Sequence, residues 1–208
     1  MATHWDEVYA APDYIFGKAP NAFLVSQQAL LKPGLRALAV ADGEGRNGVW
    51  LAEQGLEVLS VEYSLPGVEK ARQLARERGV QMTFEVADVL NWHWPVNAYD
   101  VVAAIFIQFA SPADRATLFQ HIKAALKPGG YLIMQGYTPK QVEYKTGGPP
   151  SAENMYTPEL LRAAFADMEI LHLAEHEEFI AEGTKHYGMS ALIDLVARAG
   201  DGRLTPDT

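Results

Sequence analysis

Between residues 36 and 137 short β-rich runs alternate with helical ones, and this alternation limits the fold more than any other property of the chain. "RALAVA" (36–41), "EVLSVE" (57–62), "QMTFEVA" (81–87), "YDVVAAIFI" (99–107) and "YLIMQGY" (131–137) read as strands. "NGVWLAEQ" (47–54), "PGVEKARQLARERG" (66–79) and "PADRATLFQHIKAALKPGG" (112–130) read as helices, the last two opening on Pro and closing on Gly. Strands joined through helices return parallel, by right-handed crossovers that place helices over the sheet. The near-continuous apolar run 99–107 fits a strand covered on both faces.

Beyond residue 137 the pattern changes. A Gly/Pro-rich loop (138–156) leads to the helix "TPELLRAAFA" (157–166), then to "EILHLAEHEEFIAEG" and "HYGMSALIDLVARA" as two long strands. The short connection between them makes the pair antiparallel. The expected fold is α/β: a Rossmann-like, seven-stranded, mostly parallel sheet with a C-terminal antiparallel strand pair and helices on both faces. With 208 residues, no internal repeat and no linker, one domain is expected over 1–208. Within it, 1–32 forms an aromatic-rich leader and the helix "NAFLVSQQALL", 36–137 the core, and 157–199 the C-terminal helix and strand pair.

The net charge of −9 disfavours nucleic acid and anionic membrane as partners, since both need a basic face, and suits a cationic or neutral small molecule. The absence of cysteine removes disulfides, thiolate metal sites and a Cys nucleophile, and no metal site is expected. The N-terminus carries no basic region followed by an apolar stretch, and no apolar run approaches the ~20 residues that span a bilayer. A cytoplasmic protein with a small-molecule substrate is expected, its oligomeric state open.

In open α/β sheets ligands bind beyond the carboxyl ends of the strands, so the turn "ADGEGRNG" (41–48) after the first strand is the first place to look. Gly43, Gly45 and Gly48 have the G-x-G-x-x-G spacing of a dinucleotide turn, which by itself is a weak signal. Glu44 inside that turn and Asp42 before it repel a pyrophosphate and favour a ligand with a cation and no phosphate, such as S-adenosylmethionine (SAM). Glu62 ends the second strand about twenty residues on, where a carboxylate accepts from ribose hydroxyls in SAM and NAD sites alike. Asp88 follows the third strand; it is placed to accept from an adenine amino group, with Val89 and Leu90 along the ring and Tyr63 facing it, or to cap a turn.

These segments, "ALAVADGEGRNGVWLAEQGLEVLSVEYS", "VADVLNW", "YDVVAAIFIQF" and "LKPGGYLIM", resemble the class I SAM-dependent methyltransferases over residues 36–137. The leader "WDEVYAAPDYIFGKAPNAFL" and the "GEGRN" turn look most like the small tellurite-resistance-type members. The resemblance implies that Gly43, Gly45 and the adjoining backbone hold the methionine end of SAM, Glu62 the ribose and Asp88 the adenine; Asn47 and Ile105 complete the candidate set. The chain departs from the family at Ala39, where an acid is usual, and at Ala41, where a glycine is usual; Asp42 supplies a charge nearby.

Methyl transfer needs mainly alignment of nucleophile and methyl, and a base only where the nucleophile arrives protonated. His186, Tyr14 and Arg46 are the candidates for that role or for acceptor binding; Arg46 also suits the SAM carboxylate. Tyr9, Tyr14, Phe16 and Gln108 are candidates to close over the methyl, or to dock the leader. His93 and His121 read as packing or surface residues, and His172 and His176 as part of a solvated charged face. An NAD(P)-dependent oxidoreductase and a non-catalytic SAM-binding regulator are the rival readings. For the methyltransferase reading, a metalloid oxyanion, a thiol or a selenol is the expected acceptor.

Overall fold

The structure, a computed structural model, describes residues 4–201; residues 1–3 and 202–208 of the expected domain lie outside the described residues. Strands β1 (Arg36–Val40), β2 (Glu57–Glu62), β3 (Thr83–Val86), β4 (Tyr99–Ile105), β5 (Leu126–Tyr137), β6 (Glu169–Glu182) and β7 (His186–Arg198) form one sheet in the order β3-β2-β1-β4-β5-β7-β6. β1 pairs in parallel with β2 and β4, β2 with β3, and β4 with β5. β7 runs antiparallel to both β5 and β6, between which it lies. Its continuous buried stretch from Ser190 to Ala197 suits that interior place, whereas charged, mostly exposed β6 sits at the edge.

The helices are α1 (His4–Tyr9), α2 (Ala22–Ser26), α3 (Arg46–Glu53), α4 (Leu65–Arg78), α5 (Pro112–Ala125), α6 (Gln141–Tyr144) and α7 (Pro158–Ala164). α5 and α7 bring Leu118, Phe119, Ile122 and Leu161 to one face of the sheet, while α2 and α3 bring Phe23, Leu24 and Leu51 to the other. Ser64, Ser111 and Thr157 each cap a helix whose first turn holds a proline, and Gly79 ends α4 in the left-handed conformation.

Some boundaries differ from the sequence reading. The helix expected over 112–130 stops at Ala125, and Lys-Pro-Gly-Gly belongs to β5, which bulges past β4 between Tyr99 and Val101. Gly130 fits there because a Cβ would press on the carbonyls of Tyr99, Asp100 and Lys127 at 3.0–3.1 Å. The single helix expected over 21–31 is α2 followed by a 3₁₀ turn at Gln28–Leu30; the Ser26 hydroxyl donates to the Phe23 carbonyl where α2 ends. At the carboxyl edge β1 and β4 end early: Ala41 (φ 47°) and Phe106 (φ 54°) leave the strands in the left-handed region. The strand order reverses between β1 and β4, and the crevice outside that switch point is where a ligand fits.

Candidate active site

Each glycine of the 41–48 turn answers a close approach within the protein. Gly43 (φ 58°) lies under Tyr9, whose hydroxyl would be 2.7 Å from a Cβ there. Gly45 (φ 85°) lets α3 start against α4, where a Cβ would meet that of Ala71 at 2.5 Å. Gly48 leaves space for the Asp42 carboxylate, which accepts from Gly48 N–H at 3.1 Å and from the Ser60 hydroxyl at 2.8 Å. The turn is therefore fixed before any ligand arrives.

Two acids complete this frame. Glu62 is buried; its Oε2 accepts from Gly43 N–H at 2.8 Å and its Oε1 from Ser64 N–H at 2.9 Å. Asp88 accepts from Leu90 N–H at 3.0 Å and the Asn91 amide at 2.7 Å, so it does cap a turn while also bordering the crevice. Burial raises both the Asp42 carboxyl, to about 7, and that of Glu62, against the hydrogen bonds that favour their charged forms.

The crevice is a cavity of about 320 Å³, the size of a small-ligand site. Of the expected residues, Asp42, Gly43, Asn47, Glu62, Tyr63, Asp88, Val89, Leu90 and Ile105 line it, and so do Arg46 and His186. Three carboxylates thus border it, and Arg46 is the Lys or Arg among its described lining residues. Arg46 is ion-paired with Glu182 at 2.8 Å. Glu62 and Asp88, beside an Asp42 that is only partly ionised near pH 7, give a balance that disfavours pyrophosphate and suits a cation such as the sulfonium and ammonium of SAM.

Glu44, expected at the cofactor, faces the other way. Its carboxylate accepts from the Ile15 and Phe16 amides at 3.2 and 3.4 Å and pairs with Lys70 at 2.7 Å, so it anchors the leader. Gly45 likewise lies outside the cavity lining, its role being the α3–α4 contact. Tyr14 is also outside the cavity: its hydroxyl donates to the Lys70 carbonyl at 2.8 Å, which corrects its candidacy as a catalytic group. Gln108 joins the ends of β4 and β5 by two bonds to the Tyr137 backbone, at 2.7 and 2.8 Å, and does not reach the cavity. Tyr9 and Phe16 do line it, together with Trp5, which stacks on Tyr9 at 5.4 Å.

His186, at the start of β7, packs between Phe16 (4.5 Å), Phe106 (4.7 Å) and Tyr137 (5.6 Å). Burial pushes its pKa down, with Arg46 acting the same way and Glu182 opposing, so the ring is neutral at pH 7. Glu182 feels burial upward, yet His186 and Arg46 outweigh it and hold the carboxyl at about 2. The other histidines stand apart from the cavity: His93 and His172 are exposed, His121 stacks on Trp94 at 5.8 Å, and His176 pairs with Asp194 at 2.8 Å. Phe106, Phe109 and Glu182 escaped the sequence reading. Phe106 passed as strand interior, and Glu182 was not singled out at the end of its strand, although its place four residues before His186 was a usable signal.

The crevice at the switch point of a Rossmann-like sheet suits a cationic adenosine derivative such as SAM. Residues 37–130 match the family described as the methyltransferase domain. The demethylmenaquinone methyltransferase of Thermus thermophilus is 33% identical over 113 residues, 53% of this chain and 51% of that enzyme. The chain spans about half or less of the curated relatives it matches. Among solved structures, one from work on the conversion of a disulfide bond into a thioacetal group during echinomycin biosynthesis superposes with a TM-score of 0.78 at 19% identity, covering 96% of this chain and 92% of that one. TehB of Haemophilus influenzae superposes with a TM-score of 0.69 at 15% identity, covering 94% and 66%. At these identities the structures share the fold alone.

Proposed function

We propose that this protein, as one domain in the cytoplasm, transfers the methyl group of SAM to a small-molecule acceptor with an ionisable S–H, Se–H or O–H. The observation that carries this reading is the charge and shape of one cavity: carboxylates at its cofactor end, aromatic rings and a neutral imidazole at the other. When bound, SAM supplies a methyl carbon already activated by the sulfonium. Glu62 retains lone pairs for ribose hydroxyls, Asp88 with Val89, Leu90 and Tyr63 borders the adenine, and the backbone at Gly43 with Asn47 and Arg46 receives the methionine end. Ile105, with Trp5, Tyr9 and Phe16, holds water off the reacting centre.

A thiol or selenol fits the acceptor end better than the metalloid oxyanion raised by the tellurite-type resemblance. An oxyanion needs an available cation, and Arg46 is already engaged by Glu182. Calorimetric titration with SAM, S-adenosylhomocysteine and NADH tests the cofactor. The first two are expected to bind and NADH is not; NADH binding without SAM binding would return the chain to the oxidoreductases. A transfer screen with labelled SAM over thiols, selenols, phenols, tellurite and selenite then tests the acceptor. Turnover of thiols or selenols is expected, turnover of the oxyanions alone would reverse the acceptor assignment, and binding with no turnover would favour a SAM-binding regulator.

A further inference from the structure

We infer that His186 is the general base that takes the acceptor's proton, and that Glu182 is a positioning residue that holds the His186 ring with Nδ1 turned away from the acceptor. This rests on the methyl-transfer reading and adds to it the proton path and the residue that fixes it.

Three observations support it. First, the His186 Nδ1 is buried without a hydrogen-bond partner, and Glu182 Oε2 faces it at 3.6 Å. Catalytic hydrogen bonds are often long before the reactants are bound and tighten afterwards. An Nδ1–H directed at a carboxylate leaves Nε2 with its lone pair, the form a base needs. Second, Glu182 is held from other sides: Arg46 Nη2 donates to its Oε2 at 2.8 Å and the Asn21 amide to its Oε1 at 3.2 Å. Arg46 opens α3 beside the cofactor crevice, so one carboxylate links the cofactor end to the acceptor end. Third, the turn between β6 and β7 is pressed on the leader. Thr184 N–H donates to the Ile15 carbonyl at 2.8 Å, and Gly183 lies so close to that carbonyl that a Cβ would collide with it. The hairpin end carrying both residues is thereby fixed.

The step balances without a further reactant. The acceptor's S–H or O–H proton passes to His186 Nε2, and the acceptor's electron pair forms the bond to the methyl carbon. The carbon–sulfonium bond breaks with its electrons left on sulfur, giving neutral S-adenosylhomocysteine, and the imidazolium later returns its proton to water. Glu182 stabilises that imidazolium, while Arg46 opposes it; the rings of Phe16, Phe106 and Tyr137 around it are uncharged.

The test compares thiophenol, largely ionised at an assay pH of about 8, with phenol, whose O–H titrates near pH 10. His186→Gln is expected to lose about 100-fold in turnover on phenol and less than about threefold on thiophenol, because only phenol needs the base. His186→Gln is expected to keep S-adenosylhomocysteine affinity within about twofold. Glu182→Gln, which also frees Arg46, is read at saturating SAM from the ratio between the acceptors, with about tenfold lost on phenol and less than about threefold on thiophenol. Equal losses on both acceptors would make the residues structural and overturn the inference. NMR titration of the His186 ring decides the positioning role without turnover: Glu182→Gln should lower its midpoint by about one pH unit, since a neighbouring negative charge is removed. An unchanged midpoint overturns it. Failure of the wild type to methylate any acceptor would count against the methyl-transfer reading, while the titration would still decide whether Glu182 acts on the ring.

Discussion

Burial lifts the Asp42 carboxyl from its ordinary 3.8 to about 7, against the bonds it receives from Ser60 and Gly48. A raised pKa means that the folded protein favours the protonated form. The stability this group contributes is complete below about pH 4 and is lost as pH rises through about 7. Asp42→Asn keeps an acceptor for Gly48 N–H and removes the buried charge. Its stability relative to the wild type should rise by about 1–4 kcal/mol between pH 4 and pH 8 in urea denaturation. An equal difference at both pH values would rule out this origin. Glu62 answers a different test, because its carboxylate joins the turn to the crevice. Glu62→Ala should weaken S-adenosylhomocysteine binding by about 1–3 kcal/mol by calorimetry, the cost of unpairing bonds to a charged acceptor. Unchanged affinity would remove Glu62 from the ribose position. The place of Glu62 was legible from the strand pattern, but the direction of Glu44 was not. One position along the turn separates Asp42 from Gly43 and Gly43 from Glu44, and left-handed backbone at Ala41, Gly43 and Gly45 decides which side chain faces the crevice.

At the scale of elements, the leader is the segment whose behaviour should depend on ligand. Its aromatic residues Trp5, Tyr9 and Phe16 form part of the cavity wall, and it hangs from Glu44, Lys70 and the β6–β7 turn. Amide exchange across residues 5–20 is expected to slow when S-adenosylhomocysteine binds, and equal exchange with and without it would leave the leader as fixed packing. Glu44→Ala strands the Ile15 and Phe16 amides and leaves the Lys70 ammonium only its bond to the Asp13 carbonyl, so exchange at residues 15–17 should quicken about tenfold or more. The same variant should leave the Glu62 and Asp88 contacts in place. The sequence marked the leader as aromatic and outside the sheet pattern. Its anchor was hidden because the two amides and the ammonium are 26–29 residues from Glu44.

Over the whole molecule the net charge of −9 acts on a ligand before it reaches the crevice. SAM carries one net positive charge and S-adenosylhomocysteine none. Raising ionic strength from about 0.01 to about 0.2 M should therefore lower SAM affinity a few-fold and leave the product's nearly unchanged. Parallel calorimetric titrations at the two salt levels check this, and an equal loss for both ligands would exclude the field as its cause. No described helix is long and apolar enough to cross a membrane. What the sequence determined by itself was set by local rules: the β/α alternation, helix starts at Ser-Pro and Thr-Pro, the glycine turn, and the acids that end or follow strands. These follow from backbone sterics and hydrophobic period within some twenty residues. Only the tertiary structure decided that β7 lies between β5 and β6, that Glu44 anchors the leader, and that Glu182 joins Arg46 to His186. Those outcomes depend on contacts between distant segments, Arg46 and Glu182 being 136 residues apart, and on which buried charges find partners once the sheet has closed over them.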